Sequence, residues 1–327
     1  MILITGGSGF VGRFVVRELL KHGHSVRVVS RNAKRLQKLP EFRDVDCFEA
    51  NVSEKDALLP AMKDIRAVIH LIGIIAPSKK NRFRTAHVEA TREVVKAMQA
   101  SGVKRLIHMS ALGTRPHAAS CYHQTKWAGE EVVRASGLDW TIFRPSLIYG
   151  SESEFIKIFV RMMSFPMNVL QLGCVPCFGE GKNLFQPIAV ENVAHCFVRA
   201  LTREFAIGKV YDLCGPTAIA FKDLLIEIAL AKGLKPTWVK SFPGLYPVLI
   251  PWKWITCSKP LIVATPFELA YFVAGIAEKI LPKSPISVDA VKMLEEDNVG
   301  NTEKAMNELG LEAEDFKMGI HRILKSE

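Results

Sequence analysis

The feature that most constrains the fold of this chain is a glycine-rich turn between a short apolar strand and a helix near its start. The segment ILITGGSGFVGRFVVREL (2–19) places Gly6, Gly9 and Gly12 between the two elements. Gly6 allows a tight turn, Gly9 lets the backbone approach a pyrophosphate, and Gly12 lets the helix pack close to the strand. The N–H groups at the helix start then face the phosphates. The pattern predicts a dinucleotide-binding turn; an empty turn of the same shape is the alternative.

Short β-branched runs alternate with amphipathic stretches through the front half of the chain. The predicted strands are 2–5, 26–30, 67–72, 105–110 and 140–143. The predicted helices lie around 10–21, 54–63, 87–100 and 123–136. This alternation is typical of βαβ units in a parallel sheet covered on both faces. We therefore predict an α/β fold, a doubly wound Rossmann-type parallel sheet with a smaller, mostly helical C-terminal substrate lobe.

The end of the second predicted strand determines which dinucleotide is favoured. NAD-selective sites place Asp or Glu there, whereas this chain has Ser30, Arg31 and Asn32, followed by Lys34 and Arg35. A carboxylate would repel a 2′-phosphate, and a guanidinium can bind it through two hydrogen bonds. We therefore predict NADP(H) as the cofactor, with NAD(H) less favoured. The alternative is that Arg31 is a solvated surface charge.

The regular alternation of predicted strands and helices ends near residue 150, which indicates a domain boundary there. We predict an NADP-binding Rossmann domain at 1–150 and a C-terminal substrate or partner lobe at 151–327, with 184–216 returning to the main sheet. The segment 242–286 is rich in proline among apolar and aromatic residues, and its longest apolar run is too short for a comfortable membrane span. We favour a lid over the substrate cleft; an interfacial or partner-facing helix is the alternative.

Charge and cysteine usage narrow the possible partners. The chain has 43 Lys and Arg against 33 Asp and Glu, and the excess lies in the front half. A basic surface suits polyanionic ligands or acidic membranes, but no nucleic-acid motif accompanies it, so we predict no nucleic-acid partner. The seven cysteines indicate a reducing compartment. Cys174 and Cys177 form a CxxC that we interpret as two packed thiols, with a redox pair as the alternative, and no metal site is predicted.

The first predicted strand begins almost at Met1, so we predict no signal or transit peptide. The expected location is cytoplasmic, or peripheral on the inner face of the cell membrane. Contact with that membrane, or with a respiratory complex, would involve the segment 242–286.

Several motifs resemble those of the short-chain dehydrogenase/reductase superfamily, and they occur in the same order along the chain. The resemblance is to its extended or atypical branch, which is similar to NAD-dependent epimerases and dehydratases. The motifs are TGGSGFVG (5–12), HLIG (70–73), HMSALG (108–113), YHQTK (122–126), RPSLIYG (144–150) and PIAVENVA (187–194). Two later motifs resemble bacterial relatives of the NADPH-binding accessory subunit of respiratory complex I. These are YDLCGPTAIAFKDLLIEIA (211–229) and LEEDNVGN (294–301). The resemblance spans nearly the whole chain and is weakest at 242–286.

The resemblance implies a catalytic Ser, Tyr and Lys, which match Ser110, Tyr122 and Lys126. Tyr122 and Lys126 are one helical turn apart and share a face. We expect the ammonium to lower the pKa of the phenol from its usual value near 10. Tyr122 would then exchange a proton with a carbonyl or alcohol, Ser110 would hold the substrate oxygen, and Lys126 would bind the nicotinamide ribose.

The resemblance also implies a set of cofactor contacts along one edge of the sheet. They are Thr5, Gly6, Gly7, Ser8, Gly9, Phe10, Val11, Gly12, Arg31, Asn51, Val52, Leu71, Ile72, Gly73, Tyr122, Lys126 and Pro145. The chain departs from the family at His87, where an Asn that supports a proton relay is expected. His87 either relays protons or only ends a helix. Arg144 either shapes the pocket or forms a structural salt bridge, and the loop 78–84 either attracts anionic substrates or lipid headgroups or is only solvated.

Three functions remain open. The leading hypothesis is an NADP(H)-dependent oxidoreductase, epimerase or dehydratase acting on a small carbonyl or alcohol. The second is a non-catalytic NADPH-binding accessory or assembly subunit of a respiratory NADH:ubiquinone complex, favoured by the departure at His87. The third is a peripheral membrane enzyme acting on a lipophilic, quinone-like substrate.

Overall fold

The computed structural model of the chain describes residues 1–75, 82–164, 174–240, 260–280 and 287–325. The chain divides into two compact units. The first comprises Met1–Ser146, Val190–Leu213 and Gly300–Glu312, and the second comprises Leu147–Ala189, Cys214–Val299 and Ala313–Glu327. Each unit has a hydrophobic core of its own.

Strands of the described residues are short and mostly parallel. They are β1 (Ile2–Thr5), β2 (Val26–Ser30), β3 (Asp46–Glu49), β4 (Ala67–His70), β5 (Arg105–Met109), β6 (Asp139–Pro145), β7 (Ile148–Tyr149), β8 (Cys174–Phe178), β9 (Leu184–Phe185), β10 (Ile188–Ala189), β11 (Lys209–Leu213), β12 (Ile219–Ala220), β13 (Thr237–Val239) and β14 (Leu261–Thr265). Seven of these strands form one sheet in the order β3-β2-β1-β4-β5-β6-β11, and every pair in it is parallel. The order of the first six is that of a doubly wound nucleotide-binding sheet, so the predicted fold class is confirmed.

Helices follow the strands along the chain. They are α1 (Phe10–Lys21), α2 (Ala33–Leu36), α3 (Ala90–Ala100), α4 (Cys121–Arg134), α5 (Glu154–Met163), α6 (Val190–Ala200), α7 (Phe221–Ala231), α8 (Phe267–Ile280), α9 (Val288–Glu295), α10 (Glu303–Leu309) and α11 (Phe316–Lys325). In the first unit α1 packs with α6, and α3 packs with α4. A π-helical turn at Thr85–Glu89 leads directly into α3.

The core of the first unit explains why the strand predictions succeed. All four residues of β1 and all four of β4 are buried, as expected for strands covered on both faces. Leu3, Val68 and Leu106 are register neighbours on β1, β4 and β5 and pack in one apolar cluster with residues of α3 and α4. Thr5, His70 and His108 form the corresponding row at the carboxyl edge. This edge carries the candidate site.

Two local predictions differ from the structure. The strand β3 was not predicted, because it begins with Asp46, ends with Glu49 and is only half-buried. The predicted helix at 54–63 is a series of turns with a short 3₁₀ helix at Leu59–Met62, where Pro60 lacks the N–H that a continuing α-helix needs. Within 184–216, β11 joins the main sheet, whereas β9 and β10 pair with β12 and β7.

The second unit contains α5, α7, α8, α9 and α11 around a three-stranded parallel sheet in the order β13-β14-β8. Cys174 and Cys177 both lie on β8, where Cys174 is half-buried and Cys177 is buried. Three residues apart on a strand, they point to opposite faces, so they are packed cysteines and not a redox pair. Burial raises the pKa of Cys177 to about 12.

Of the segment 242–286, the structure describes 260–280, and the remainder lies outside the described residues. The described part forms β14 and α8, and α8 exposes Phe272, Val273 and Ile276. No helix in the described ranges is both long and apolar enough to cross a membrane.

Candidate functional site

The turn after β1 is built so that only glycine fits at two of its positions. Gly6 has φ +79°, and a Cβ atom there would lie 3.0 Å from the Ile72 backbone nitrogen. A Cβ at Gly12 would lie 2.3 Å from the Gly6 oxygen. Gly9 is different: of the atoms that the structure describes, its Cβ would approach only the Gly6 oxygen, at 3.3 Å. Gly6 and Gly12 therefore serve close packing, and Gly9 leaves open space at the start of α1.

The first turn of α1 offers backbone donors to an anion. The helix is capped by Gly9, no side chain of the described residues caps it, and its first turn has no acidic residue. The N–H groups of Phe10, Val11 and Gly12 lack intrahelical partners by geometry, and the helix dipole favours negative charge beside them. Ser8 is exposed at the same end, whereas Gly7 packs inward, with a Cβ position 2.8 Å from Val28. These residues fit the pyrophosphate of a dinucleotide.

The end of β2 carries exposed cations and one carboxylate that sequence reasoning missed. Arg31, Lys34 and Arg35 are exposed, as the predicted 2′-phosphate site requires. Glu49 lies beside them, because β3 pairs with β2 in register with Ser30, and its Oε2 accepts a hydrogen bond from the N–H of residue 33 at 3.3 Å. The prediction omitted Glu49 because it omitted β3.

Two further predicted cofactor contacts, Asn51 and Val52, follow β3. The Asn51 amide donates to Glu54 at 2.9 Å, and Val52 is buried. The loop after β4 contains the contacts Leu71, Ile72 and Gly73. Its first N–H donates to the Thr5 carbonyl at 2.9 Å, which continues the pairing between β1 and β4. The edges of β1, β3 and β4 thus bring these predicted residues to one side of the sheet.

The helix α4 carries the Tyr–Lys pair. Ser120 caps it and accepts a hydrogen bond from the His123 N–H at 3.2 Å, which fixes its first turn. Lys126 is only 2% exposed, and its Nζ donates to the Met109 carbonyl at 2.6 Å. Burial lowers the pKa of Lys126 to about 8, an effect that the nearby Glu130 carboxylate partly offsets.

Aromatic rings surround Tyr122. Its ring makes edge contacts with Phe83, His87 and His123, at centroid distances of 6.0, 5.4 and 5.2 Å. Burial raises the pKa of Tyr122 to about 12. The sequence-based expectation that Lys126 lowers this pKa is wrong in direction here, because desolvation of the phenol dominates.

Ser110 and Pro145 lie on the adjoining strands. Ser110 is 2% exposed and directly follows Met109, the partner of Lys126. Its N–H donates to the Phe143 carbonyl at 2.7 Å, and the Leu112 N–H donates to the Pro145 carbonyl at 2.9 Å. The end of β5 thus contacts the ammonium of Lys126, and the residues that follow β5 are hydrogen-bonded to β6.

His87 lies inside a helical segment, and both of its ring nitrogens are engaged in hydrogen bonds. Its Nε2 accepts a hydrogen bond from the Ile74 N–H at 3.1 Å, and its Nδ1 lies 2.9 Å from the Thr125 hydroxyl. The ring is 1% exposed and lies inside the π-helical turn, not at a free helix end. Burial lowers its pKa to about 2, so the ring is neutral.

Two more histidines lie under the site. His70 is held between the hydroxyls of Thr5 and Thr91, at 2.6 and 3.0 Å, and stacks on His108 at a centroid distance of 5.2 Å. Burial lowers the pKa of His70 to about 3, and it also lowers that of His108. Neither ring nitrogen of His108 has a hydrogen-bond partner among the described residues. Both rings are neutral, so they add no positive charge to that of Lys126.

Arg144 forms a salt bridge behind α4. Its guanidinium donates to both oxygens of Glu130, at 2.8 and 2.7 Å, and Arg134 donates to the same carboxylate at 2.6 Å. Of the two roles considered for Arg144, the structural salt bridge is the one observed. Glu130 lies one turn after Lys126, so this salt bridge links α4, the helix that carries Tyr122 and Lys126, to β6.

Comparison with known proteins identifies the front of the chain. Residues 6–161 match the family of NAD(P)H-binding domains. The chain is 26% identical to the mitochondrial NADH dehydrogenase (ubiquinone) 1 alpha subcomplex subunit 9 of Arabidopsis thaliana, over 98% of this chain and 74% of that protein. It is 33% identical to the ceramide reductase of Caulobacter vibrioides over 49% of this chain and 50% of that protein.

Solved structures show the same fold. MoeE5, in complex with UDP-glucose and NAD, superposes with a TM-score of 0.68 over 99% of this chain and 97% of that chain, at 17% identity. The resemblance to extended short-chain dehydrogenase/reductases and to complex I subunits, predicted from the motifs, is thus confirmed. Residues 6–161 are thus similar to NAD(P)H-binding domains, and the fold is that of the epimerase-type structures.

Proposed function

We propose that the chain is an NADP(H)-dependent oxidoreductase that reduces an apolar carbonyl compound, with Tyr122 as proton donor. One observation carries the proposal: Tyr122 and Lys126 lie one turn apart on α4, and the Lys126 ammonium is bound to the carbonyl of Met109, directly before Ser110. This arrangement supports catalytic roles for Ser110, Tyr122 and Lys126 at the carboxyl edge of the sheet.

The protonation states favour reduction. A reduced nicotinamide, when bound, supplies hydride to the carbonyl carbon. The Tyr122 phenol, with a pKa near 12, is protonated at neutral pH and can give its proton to the carbonyl oxygen. The Ser110 hydroxyl would hold that oxygen, and the Lys126 ammonium would bind the nicotinamide ribose. The rings around Tyr122 favour an apolar substrate, and the related ceramide reductase acts, by its name, on a lipid.

The exposed cations after β2 support NADP(H) over NAD(H). Arg31, Lys34 and Arg35 are exposed directly after β2, where a 2′-phosphate would be expected. Glu49 opposes them with a single charge, and its carboxylate is already bonded to a backbone N–H. The balance of charge therefore favours a phosphorylated ribose.

A second candidate is an accessory or assembly subunit of a respiratory complex that holds NADPH without consuming it. The observation that favours it is His87, which stands where the family's relay Asn is expected and whose two ring nitrogens are both engaged. The similarity to the Arabidopsis complex I subunit supports the same partner. The exposed apolar residues of α8 would then contact the complex or the inner face of the membrane.

The substitution Tyr122→Phe tests the proposed chemistry. It removes the proton donor and keeps the ring contacts, so turnover should fall by about a hundredfold or more, while the Kd for NADPH stays within about twofold of wild type. Turnover is measured as NADPH oxidation with a panel of carbonyl compounds, from short aldehydes to long-chain ketones and quinones.

The matched control is Tyr271→Phe, which removes a hydroxyl that donates to Glu295 in the second unit and should leave turnover unchanged. Undiminished turnover in Tyr122→Phe would contradict the assigned role. Survival of respiratory function in cells that carry Tyr122→Phe, together with no NADPH oxidation by the wild type, would favour the accessory subunit.

A further inference from the structure

The π-helical turn at Thr85–Glu89 singles out His87. In this turn the N–H of Ala90 donates to the Thr85 carbonyl, five residues back. Such turns are rare and occur frequently at functional sites, where they redirect a side chain. Here the turn surrounds a buried imidazole that faces the loop after β4 on one side and α4 on the other.

The hydrogen bonds of His87 fix its tautomer. A backbone N–H can only donate, so the bond from Ile74 requires a lone pair on Nε2. The Thr125 hydroxyl donates to the Cys121 carbonyl at 2.8 Å, so it accepts from the protonated Nδ1 of the ring. His87 is therefore neutral, with its acceptor and its donor both used. A proton relay would have to break one of these bonds.

The loop that His87 holds lies between two parts of the predicted cofactor site. At one end, the Ile72 nitrogen lies 3.0 Å from the Cβ position of Gly6 in the glycine turn. At the other end, a Cβ at Gly73 would lie 3.3 Å from Lys126 Nζ and 3.7 Å from His87 Nε2. The position of this loop thus sets the spacing between the glycine turn and the Lys126 ammonium.

We propose that His87 is a positioning residue that fastens the loop after β4 to α4 through Ile74 and Thr125, and so holds the backbone that faces the nicotinamide half of the cofactor. The inference rests on the proposed cofactor-dependent function. At the position where the family has a relay residue, His87 would act as a mechanical clamp, which consists of His87 with its hydrogen-bond partners Ile74 and Thr125.

If His87 acts as a clamp, removing one of its two ring hydrogen bonds should weaken cofactor binding as much as removing both. Thr125→Val keeps the shape of the side chain and removes the acceptor for Nδ1, and His87→Ala removes both bonds. Each should weaken NADPH binding by about tenfold, the effect of losing roughly one hydrogen bond. The double variant should bind NADPH no more weakly than His87→Ala, because both substitutions disrupt the same clamp.

His87→Gln provides the rescue, because its amide offers an acceptor and a donor. It should restore NADPH affinity to within about threefold of wild type. The matched control is Thr91→Val, which removes the hydrogen bonds of the Thr91 hydroxyl with the His87 main-chain oxygen and with the His70 ring and leaves both ring bonds of His87 intact. It should keep NADPH affinity even where it lowers stability.

The measurement is NADPH fluorescence titration of the full chain, together with the pH profile of turnover. Unchanged NADPH affinity in Thr125→Val, which tests the clamp even where His87→Ala fails to fold, overturns the inference. A shifted pH profile with unchanged affinity also overturns it, in favour of a relay. Wild-type protein that binds no NADPH overturns the proposed function itself, whereas intact wild-type binding with insensitive variants overturns the clamp alone.

Discussion

Replacing Gly9 by valine is expected to abolish dinucleotide binding while the chain remains folded. The backbone of Gly9 is extended, at φ −79° and ψ 174°, which valine adopts without strain. Its side chain would fill the space through which a pyrophosphate reaches the first N–H groups of α1. Hydrogen bonds to charged groups are worth about 1.5–3 kcal/mol each, and more than one is lost. We therefore expect NADPH affinity to fall by about a thousandfold.

The measurement is NADPH titration beside urea unfolding. The free energy of unfolding of Gly9→Val should stay within about 1 kcal/mol of wild type, because among the described residues only the Gly6 oxygen lies near the new Cβ. The control is Gly275→Val, since a Cβ at Gly275 meets no atom of the described part of the chain within 4 Å. It should alter neither quantity. Full NADPH affinity in folded Gly9→Val would place the cofactor elsewhere.

The substitution Glu130→Ala is expected to cause the largest loss of stability. Its carboxylate is 0% exposed and binds Arg134 and Arg144. Removing it leaves two guanidinium groups without their shared anion and opens a gap between α4 and β6. Breaking a buried pair costs about 3–5 kcal/mol, and the partial exposure of both arginines favours the lower end, about 3 kcal/mol.

The next residue provides a matched control for this prediction. Glu131 also contacts Arg134, at 3.3 Å, but its side chain is 53% exposed. Exposed pairs contribute little, so Glu131→Ala should change the free energy of unfolding by less than about 1 kcal/mol. Urea unfolding followed by circular dichroism measures both variants. Equal losses in the two variants would contradict the assignment of stability to the Glu130 bridge.

Much of the first unit was predictable because its signals are local. The apolar runs of β1 and β4 are buried on both faces, so their hydrophobicity is continuous and easily recognised. The glycine turn between β1 and α1 has a stereochemical requirement at Gly6 and Gly12. These signals are sufficient for a doubly wound sheet and for the side on which a dinucleotide lies.

The rest depended on contacts between distant parts of the chain. The strand β3 is polar and half-exposed, so Glu49 was missed until its register with β2 was known. The helical spacing of Tyr122 and Lys126 was correct, but desolvation of the phenol, which no spacing encodes, sets the direction of its pKa shift. The partners of His87 come from residues 13 positions before it and 38 after it.

One measurement tests the central claim most directly: parallel equilibrium titrations of the purified chain with NADPH and with NADH at fixed ionic strength. The account predicts saturable binding of one NADPH per chain, at least about tenfold tighter than NADH, because Arg31 and its neighbours meet the 2′-phosphate. Equal or tighter binding of NADH would contradict the assignment of the cations after β2. Absence of binding by either nucleotide would contradict the account as a whole.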